Sequence, residues 1–276
     1  MAASEQTLRQ VLRPGTLPEL FASWSRFPGA VPFAGGTELI RRSGNVLPSL
    51  PAVILSLEKL DELRRITRTE RYLEIGAMVR LSEIIALEKS FPEALSAALR
   101  GIAGPQARNL ATTGGSVCTG GDTAAPLAAL DARYELRSAA GGRWVSALRF
   151  SPAETLGERE LLTRIRIPLA EWNYTVYRKF HPGDSGGEGG ILVLLARNQK
   201  DLLSKIQAVA WTGGAPLREK NSETFLEGKA LPLDRRDARH YGKLWENYLN
   251  GLGRPGPLLR SKIVNSIEAG ILGLAD

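Results

Sequence analysis

The hydrophobic positions of this chain change rhythm along its length. Leu8–Trp24 reads as loop and helix, punctuated by Pro14, Gly15 and Pro18. Val31–Ala34 is a short apolar run that predicts a buried strand, and Thr37–Arg42 predicts a short helix. "AVILSL" (Ala52–Leu57), preceded by prolines, predicts a second strand. Strand, turn, helix and strand in so few residues imply a compact βαβ unit with a parallel pair. Tyr72–Val79 alternates and predicts a strand, after which Ser82 is placed to cap a helix over Glu83–Glu88. Pro92 and Gly101 bracket a further helix. Thr123–Leu130 is a short apolar helix, and Ala132–Arg137 and Arg143–Ala147 are strands around an Ala-Ala-Gly-Gly turn. Glu160–Pro168 is a strand that alternates from Thr163 on, with Ile165 and Ile167 inward and Arg164 and Arg166 outward.

After Pro168 the texture changes. "NYTVYRKF", "ILVLLAR" and "KIQAVAW" are three consecutive strands with no helix between them, which predicts an antiparallel meander. Helices follow over Lys220–Leu226, Arg235–Leu249 and Pro257–Leu272. The pattern therefore predicts an α+β protein with a boundary near residue 170: a mixed domain first, then a smaller domain of three antiparallel strands and helices.

Composition narrows the chemistry. The chain has 276 residues, 43% hydrophobic and 24% charged, as an ordinary globular protein does. The N-terminal stretch has no apolar core of a secretory leader, and no window approaches 18 apolar residues in a row, so no membrane span and a cytoplasmic location are expected. One cysteine and two histidines cannot ligate an iron–sulfur cluster or a structural zinc from this chain alone. Any redox chemistry needs an organic cofactor or a partner. The net charge of +7 raises nucleic acid as a partner, but the basic residues come in scattered pairs without interleaved aromatics, and none is expected. An acidic partner or a phosphate-bearing ligand accounts for the charge equally well.

Two glycine pairs stand out. Gly35-Gly36-Thr37-Glu38 lies between a predicted strand and a predicted helix. It reads either as a tight turn or as a bare backbone at a helix N-terminus, where unpaired N–H groups and the helix dipole favour an anion. Thr112-Thr113-Gly114-Gly115-Ser116 repeats the formula, and two such loops could hold a dinucleotide's phosphates from two sides. Asp122 follows, either as a partner for ribose hydroxyls or as the cap of the next helix. Cys118 is a buried small hydrophobe or a thiol near a cofactor. "GLGRPG" (Gly251–Gly256) has the dinucleotide spacing but follows a helix and contains proline, so it is a loop. His181 and His240 have no partner motif, and no nucleophile–base arrangement supports hydrolysis.

With both loops in view, the chain resembles the FAD-binding (medium) subunit of the molybdenum hydroxylases, the xanthine dehydrogenase and carbon monoxide dehydrogenase group. "AGGTELI", "VILSLEKLDELRRI", "LEIGAMVRLSEI", "GPQARNLATTGGSV", "ELLTRIRIP", "YRKF" and "AVAWTGGAPLREKNSETFLEGKAL" follow that family's order over nearly the whole chain. The resemblance implies a PCMH-type FAD-binding domain over 1–170, with subdomains of about 1–57 and 58–170, and a C-terminal α+β domain over 171–276. It implies an oxidoreductase component whose cofactor is FAD. The pyrophosphate would lie on Pro32, Phe33, Ala34, Gly35, Gly36, Thr37, Glu38 and Leu39 and near Thr112, Thr113, Gly114, Gly115 and Ser116. Asp122 would meet the ribose or adenine end, Ile102 and Leu162 would pack on flavin or adenine, and Lys179 would stand near the isoalloxazine, with Arg178 the alternative. The partners implied are a molybdopterin-binding large subunit and an iron–sulfur small subunit, with NAD⁺ or another acceptor taking the electrons.

Two stretches depart from the family pattern: "VCTGGD" is short, and "HPGDSGGEGG" after "YRKF" is acidic and glycine-rich. They support a second reading, a flavin-free scaffold or regulatory subunit with the same fold, altered at 117–122 and 181–190.

Overall fold

The computed structural model describes residues 9–44, 46, 48–87, 91–182 and 188–275. The chain starts with β1 (Gln10–Leu12), α1 (Leu17–Arg26), β2 (Val31–Phe33), α2 (Thr37–Ser43) and β3 (Val53–Ser56). The three strands form a parallel sheet in the order β1-β3-β2, so the expected parallel pair is present. Strand β1, within the stretch read as loop and helix, is an addition: three residues before Pro14 are too few to show a period. Thr16 caps α1 by accepting from the Glu19 N–H at 3.3 Å, and Leu17, Leu20, Phe21 and Trp24 form its buried face.

The middle of the chain runs β4 (Ile66–Arg68), β5 (Tyr72–Gly76), α3 (Leu81–Ile85), α4 (Glu93–Arg100), α5 (Pro105–Arg108), α6 (Thr113–Thr119) and α7 (Ala124–Ala129). It closes with β6 (Arg133–Ser138), β7 (Gly141–Ser146), α8 (Pro152–Thr155) and β8 (Leu161–Pro168). The five strands make an antiparallel sheet in the order β4-β5-β8-β6-β7. Ile165 and Ile167 point into the core, while Arg164 and Arg166 turn outward to Glu74 at 3.0 and 2.6 Å. Ser82 is not the cap of α3. Arg80 stands at that position, and the Glu83 carboxylate accepts its N–H at 2.7 Å, so the helix starts earlier than the pattern suggested. Glu88, the expected last residue, lies outside the described residues.

The final part has β9 (Tyr174–Phe180), β10 (Gly190–Gln199) and β11 (Leu202–Trp211), antiparallel in the order β11-β10-β9. It ends with α9 (Lys220–Leu226), α10 (Arg235–Gly251) and α11 (Pro257–Leu272). This sheet is covered on both faces. Ile191, Val193, Leu195 and Val209 join the core under the five-stranded sheet, whereas Leu192, Leu194, Ala208 and Ala210 pack on the C-terminal helices. Burial on both sides is why "ILVLLAR" is a continuous apolar run rather than an alternating one.

Candidate functional site

Between α2, α5 and α6 lies a mainly apolar cavity of about 570 Å³, a size suited to a bound small molecule. Its first wall is the β2–α2 turn. Gly36 precedes the helix at φ 69°, in the left-handed region that a side chain rarely tolerates, and no side chain caps α2. Ile40 is the first residue of this turn to donate within the helix, to the Gly36 carbonyl at 3.2 Å. The N–H groups of Thr37, Glu38 and Leu39 have no acceptor among the described residues, so the bare backbone is directed at the cavity end of the helix dipole. Glu38, whose charge would oppose an anion here, is turned back to Arg41 (2.6 Å) and Arg42 (2.7 Å). The hydrogen bond from Arg41, with Arg42 beside it, holds its carboxyl below the ordinary carboxylate value.

The opposite wall is α6 with its lead-in, and here the second glycine pair proves different from the first. Gly114 and Gly115 are not in a loop but in the first turn of α6, with Thr112 as its cap. The N–H groups there are already used. Thr113 donates to the Val79 carbonyl at 2.9 Å, Gly114 to Ala77 at 2.8 Å, and Gly115 to the Thr112 hydroxyl at 3.1 Å. The Thr113 hydroxyl is also buried, donating to the Gly76 carbonyl at 2.8 Å. Gly114 serves close packing, since a Cβ there would stand 2.7 Å from the Ala77 Cβ. What α6 offers the cavity is surface: Thr112, Gly115, Ser116, Cys118 and Thr119 line it. Gly35 joins the two walls, because a Cβ on it would lie 1.9 Å from the Leu110 carbonyl oxygen. Burial pushes the Cys118 thiol up to about 11, so it is neutral at ordinary pH.

Pro32, Phe33, Ala34, Gly35, Gly36, Thr37, Glu38, Leu39, Ile102, Thr112, Gly115 and Ser116 therefore share one cavity. Leu162 does not reach it; it is 3% exposed in the core, opposite Leu136. Asp122 and Lys179 stand beside the α6 wall. Thr123, next to Asp122, exchanges a hydrogen bond with Ser116 at 3.2 Å. Gly120 and Gly121, both at positive φ (68° and 122°), reverse the chain sharply between α6 and α7, which is how the short "VCTGGD" stretch is accommodated. Asp122 does not cap α7; Thr123 holds that position, and Asp122 accepts from Lys179 Nζ at 2.6 Å. In the β9–β10 register Lys179 lies opposite Ile191 and on its face of the sheet, whereas Arg178 lies opposite Leu192 and on the other face.

Residues 6–170 match the family described as the FAD binding domain in molybdopterin dehydrogenase. The chain belongs to this family. A stretch of 156 residues is 35% identical to the glyceraldehyde dehydrogenase medium chain of Sulfolobus acidocaldarius, covering 54% of this chain and 55% of that one. The chain thus spans about half the length of that relative. It is 31% identical over 217 residues to the nicotine 6-hydroxylase medium subunit of Paenarthrobacter nicotinovorans, covering 74% of this chain and 75% of that one. Quinoline 2-oxidoreductase from Pseudomonas putida 86 superposes with a TM-score of 0.78 at 21% identity, covering 97% of this chain and 96% of that one, a likeness of fold. The α+β class and FAD as cofactor stand on these findings.

The residues present fit FAD. A bare, glycine-bearing helix start suits a pyrophosphate, an apolar cavity suits rings, and hydroxyls and a carboxylate suit ribose. Sequence reasoning missed Ala107 and Ala111, which line the cavity from α5 and its exit, Tyr177 beside Asp122 and Trp211 beside Gly120. The signal for the alanines was small residues four apart, at 103, 107 and 111. Tyr177 shares its strand face with Lys179, a parity visible once the register is known. No described helix is long and apolar enough to cross a membrane.

Proposed function

We propose that this chain is the FAD-binding, electron-transferring subunit of a molybdenum hydroxylase-type complex. In this reading it accepts electrons from an iron–sulfur small subunit, fed by a molybdopterin-binding large subunit, and passes them to NAD⁺ or another acceptor. The observation that carries it is the unpaired backbone at Thr37–Leu39 opening on a cavity whose far wall is α6. The relatives named as medium chain and medium subunit support a role within a larger assembly. So does the chain's lack of enough cysteine and histidine to carry a cluster of its own.

The geometry supports the following residue roles. The N–H groups of Thr37, Glu38 and Leu39 receive the pyrophosphate, with Gly36 making the left-handed turn into the helix and Gly35 letting the two walls meet at Leu110. Thr112, Gly115 and Ser116 form the facing wall, and Ile102 supplies an apolar surface for a ring. Asp122 and Lys179 orient one polar region beyond α6, and the buried hydroxyl of half-buried Tyr177 limits water beside them. When bound, FAD supplies two-electron and one-electron chemistry; the protein holds and shields it. The division into an FAD-binding domain over 1–170, with subdomains of about 1–57 and 58–170, and a C-terminal domain over 171–276 belongs to the same proposal. The test is the visible absorption spectrum of the purified chain with FAD quantified after acid release. Near one FAD per chain is expected. A colourless chain that takes up no added FAD would overturn the reading and favour the scaffold. Part of the second altered stretch, 183–187, lies outside the described residues; 117–122 forms the end of α6 and the turn into α7.

A further inference from the structure

Resting on that reading, we propose that α7 is a strut clamped at both ends by the C-terminal sheet, and that Asp131, outside the cavity, is a positioning residue for the Lys179 side of the site. Carboxylates flank this helix on both sides. Asp122, before it, holds Lys179 of β9 at 2.6 Å. Asp131, after it, accepts from Gln207 of β11 at 2.8 Å and from Arg218 at 2.8 Å, with Lys205 of β11 at 3.8 Å. In the sheet order β11-β10-β9, the two carboxylates therefore grip the two outer strands.

The register places every gripped side chain of the sheet on one face. Lys179 lies opposite Ile191, Gln207 opposite Leu195 and Lys205 opposite Arg197, so all three share the face of Ile191, Val193 and Leu195. Lys179 and Gln207 stand two strands apart and four residues apart along the sheet, about 16 Å, and the nine residue steps from Asp122 to Asp131 span about 13 Å, a difference that the side chains of the clamps bridge. Helix α7 is "AAPLAA", small and buried, so it can lie close against the strands. Asp131 is itself a built feature. It adopts φ 53°, which aspartate and asparagine tolerate better than most residues. Its partner Arg218 is 9% exposed and is locked on its other side by Glu223, 8% exposed, at 2.7 Å. Displacing the β11 clamp lets the sheet slide on α7, and the β9 edge carrying Tyr177 and Lys179 moves with it.

The test uses the full chain, with Asp131→Asn as the variant. Asparagine keeps the φ and a hydrogen-bond acceptor but removes the charge. Hydrogen exchange is read across the chain, and the visible circular dichroism and release rate of bound FAD are read alongside. Exchange of the Tyr174–Phe180 amides is expected to rise about tenfold through local opening. The flavin dichroism should change and FAD release should quicken several-fold, although no cavity residue was altered. Amides of β1 to β3 should stay at their original rates. Exchange that rises only near Asp131 and Arg218, with Tyr174–Phe180 and the flavin signal unchanged, would overturn the strut. Should Asp131→Asn fail to fold, Gln207→Leu makes the same test, since it removes one clamp bond together with an oxygen that lacks a partner among the described residues. The same direction of change is then expected, and no change at β9 again overturns the proposal. Wild-type protein that takes up no FAD would sink the functional reading, while the exchange result would still decide the strut.

Discussion

Replacing Gly35 and Gly115 separately should produce opposite phenotypes, although both belong to the paired-glycine pattern. At Gly115 a Cβ would meet only the Thr112 hydroxyl oxygen, at 3.0 Å. That side chain can shift by a few tenths of an ångström, and alanine in a helix is favoured over glycine by about 1 kcal/mol. Weakening of the Thr112 cap costs about the same, so Gly115→Ala should melt within a few degrees of the wild type. At Gly35 a Cβ would meet the Leu110 carbonyl oxygen at 1.9 Å and its carbon at 2.7 Å, both backbone. One wall must withdraw well over an ångström, a strain of about 2–3 kcal/mol on the scale of overpacked cores. Gly35→Ala should therefore lose stability, and lose FAD as a consequence of separated walls. Gly115→Val should instead fold and fail to retain FAD, because its branches project into the cavity; a tenfold loss of affinity is about 1.4 kcal/mol. The assay is a thermal melt paired with FAD quantified after desalting. A Gly115→Val protein with a full complement of FAD would refute the assignment of the cavity, and a Gly35→Ala protein that melts like the wild type would refute the contact between the walls.

Lys179→Met leaves Asp122 without its partner and should weaken FAD binding by about 1 kcal/mol, a several-fold rise in Kd by fluorescence titration. The Cys118 thiol, pushed from 9.0 to about 11 by burial, should react with iodoacetamide at pH 8 about a hundredfold more slowly than in unfolded protein, and more slowly still with FAD added, because Cys118 lines the cavity. That group favours the folded state below its unfolded value, and the contribution is lost as pH rises through about 11, so stability should decline in strong alkali. Glu223→Ala removes one side of the buried Arg218 pair and should cost about 3 kcal/mol in a denaturant melt, with Asp131 left as the carboxylate on that guanidinium among the described residues.

Much of the fold was legible because most elements carry a period of their own. The strand Leu161–Pro168 shows it: alternation separated Ile165 and Ile167 from Arg164 and Arg166, and the sheet buries one set and pairs the other with Glu74. Strand β1 was not legible, since three residues cannot display a period, and its pairing with β3 is a tertiary choice. The cap of α3 was missed for a related reason. Ser82 is the residue type that caps, but the Glu83 side chain reaches back to the Arg80 N–H and sets the helix start two residues earlier.

At the site, residue types were readable and the division of labour was not. Both glycine pairs were visible, yet only the first leaves N–H groups bare; the second spends its own on Val79, Ala77 and Thr112. That difference depends on where residues some 35 positions earlier in the chain place their carbonyls, which no local spacing encodes. The same holds for Asp122. Locally it was a helix cap or a ribose ligand; Thr123 holds the cap position, and Asp122 pairs with Lys179, a residue of another sheet whose face is set by the β9–β10 register. Because that sheet is buried on both faces, its position depends on the C-terminal helices behind it as much as on α7 in front. Residues 171–276 thus form one side of the site's surroundings, and a chain cut at residue 170 would lose Lys179 and Tyr177 and expose the apolar face that Ile191, Val193 and Leu195 now cover.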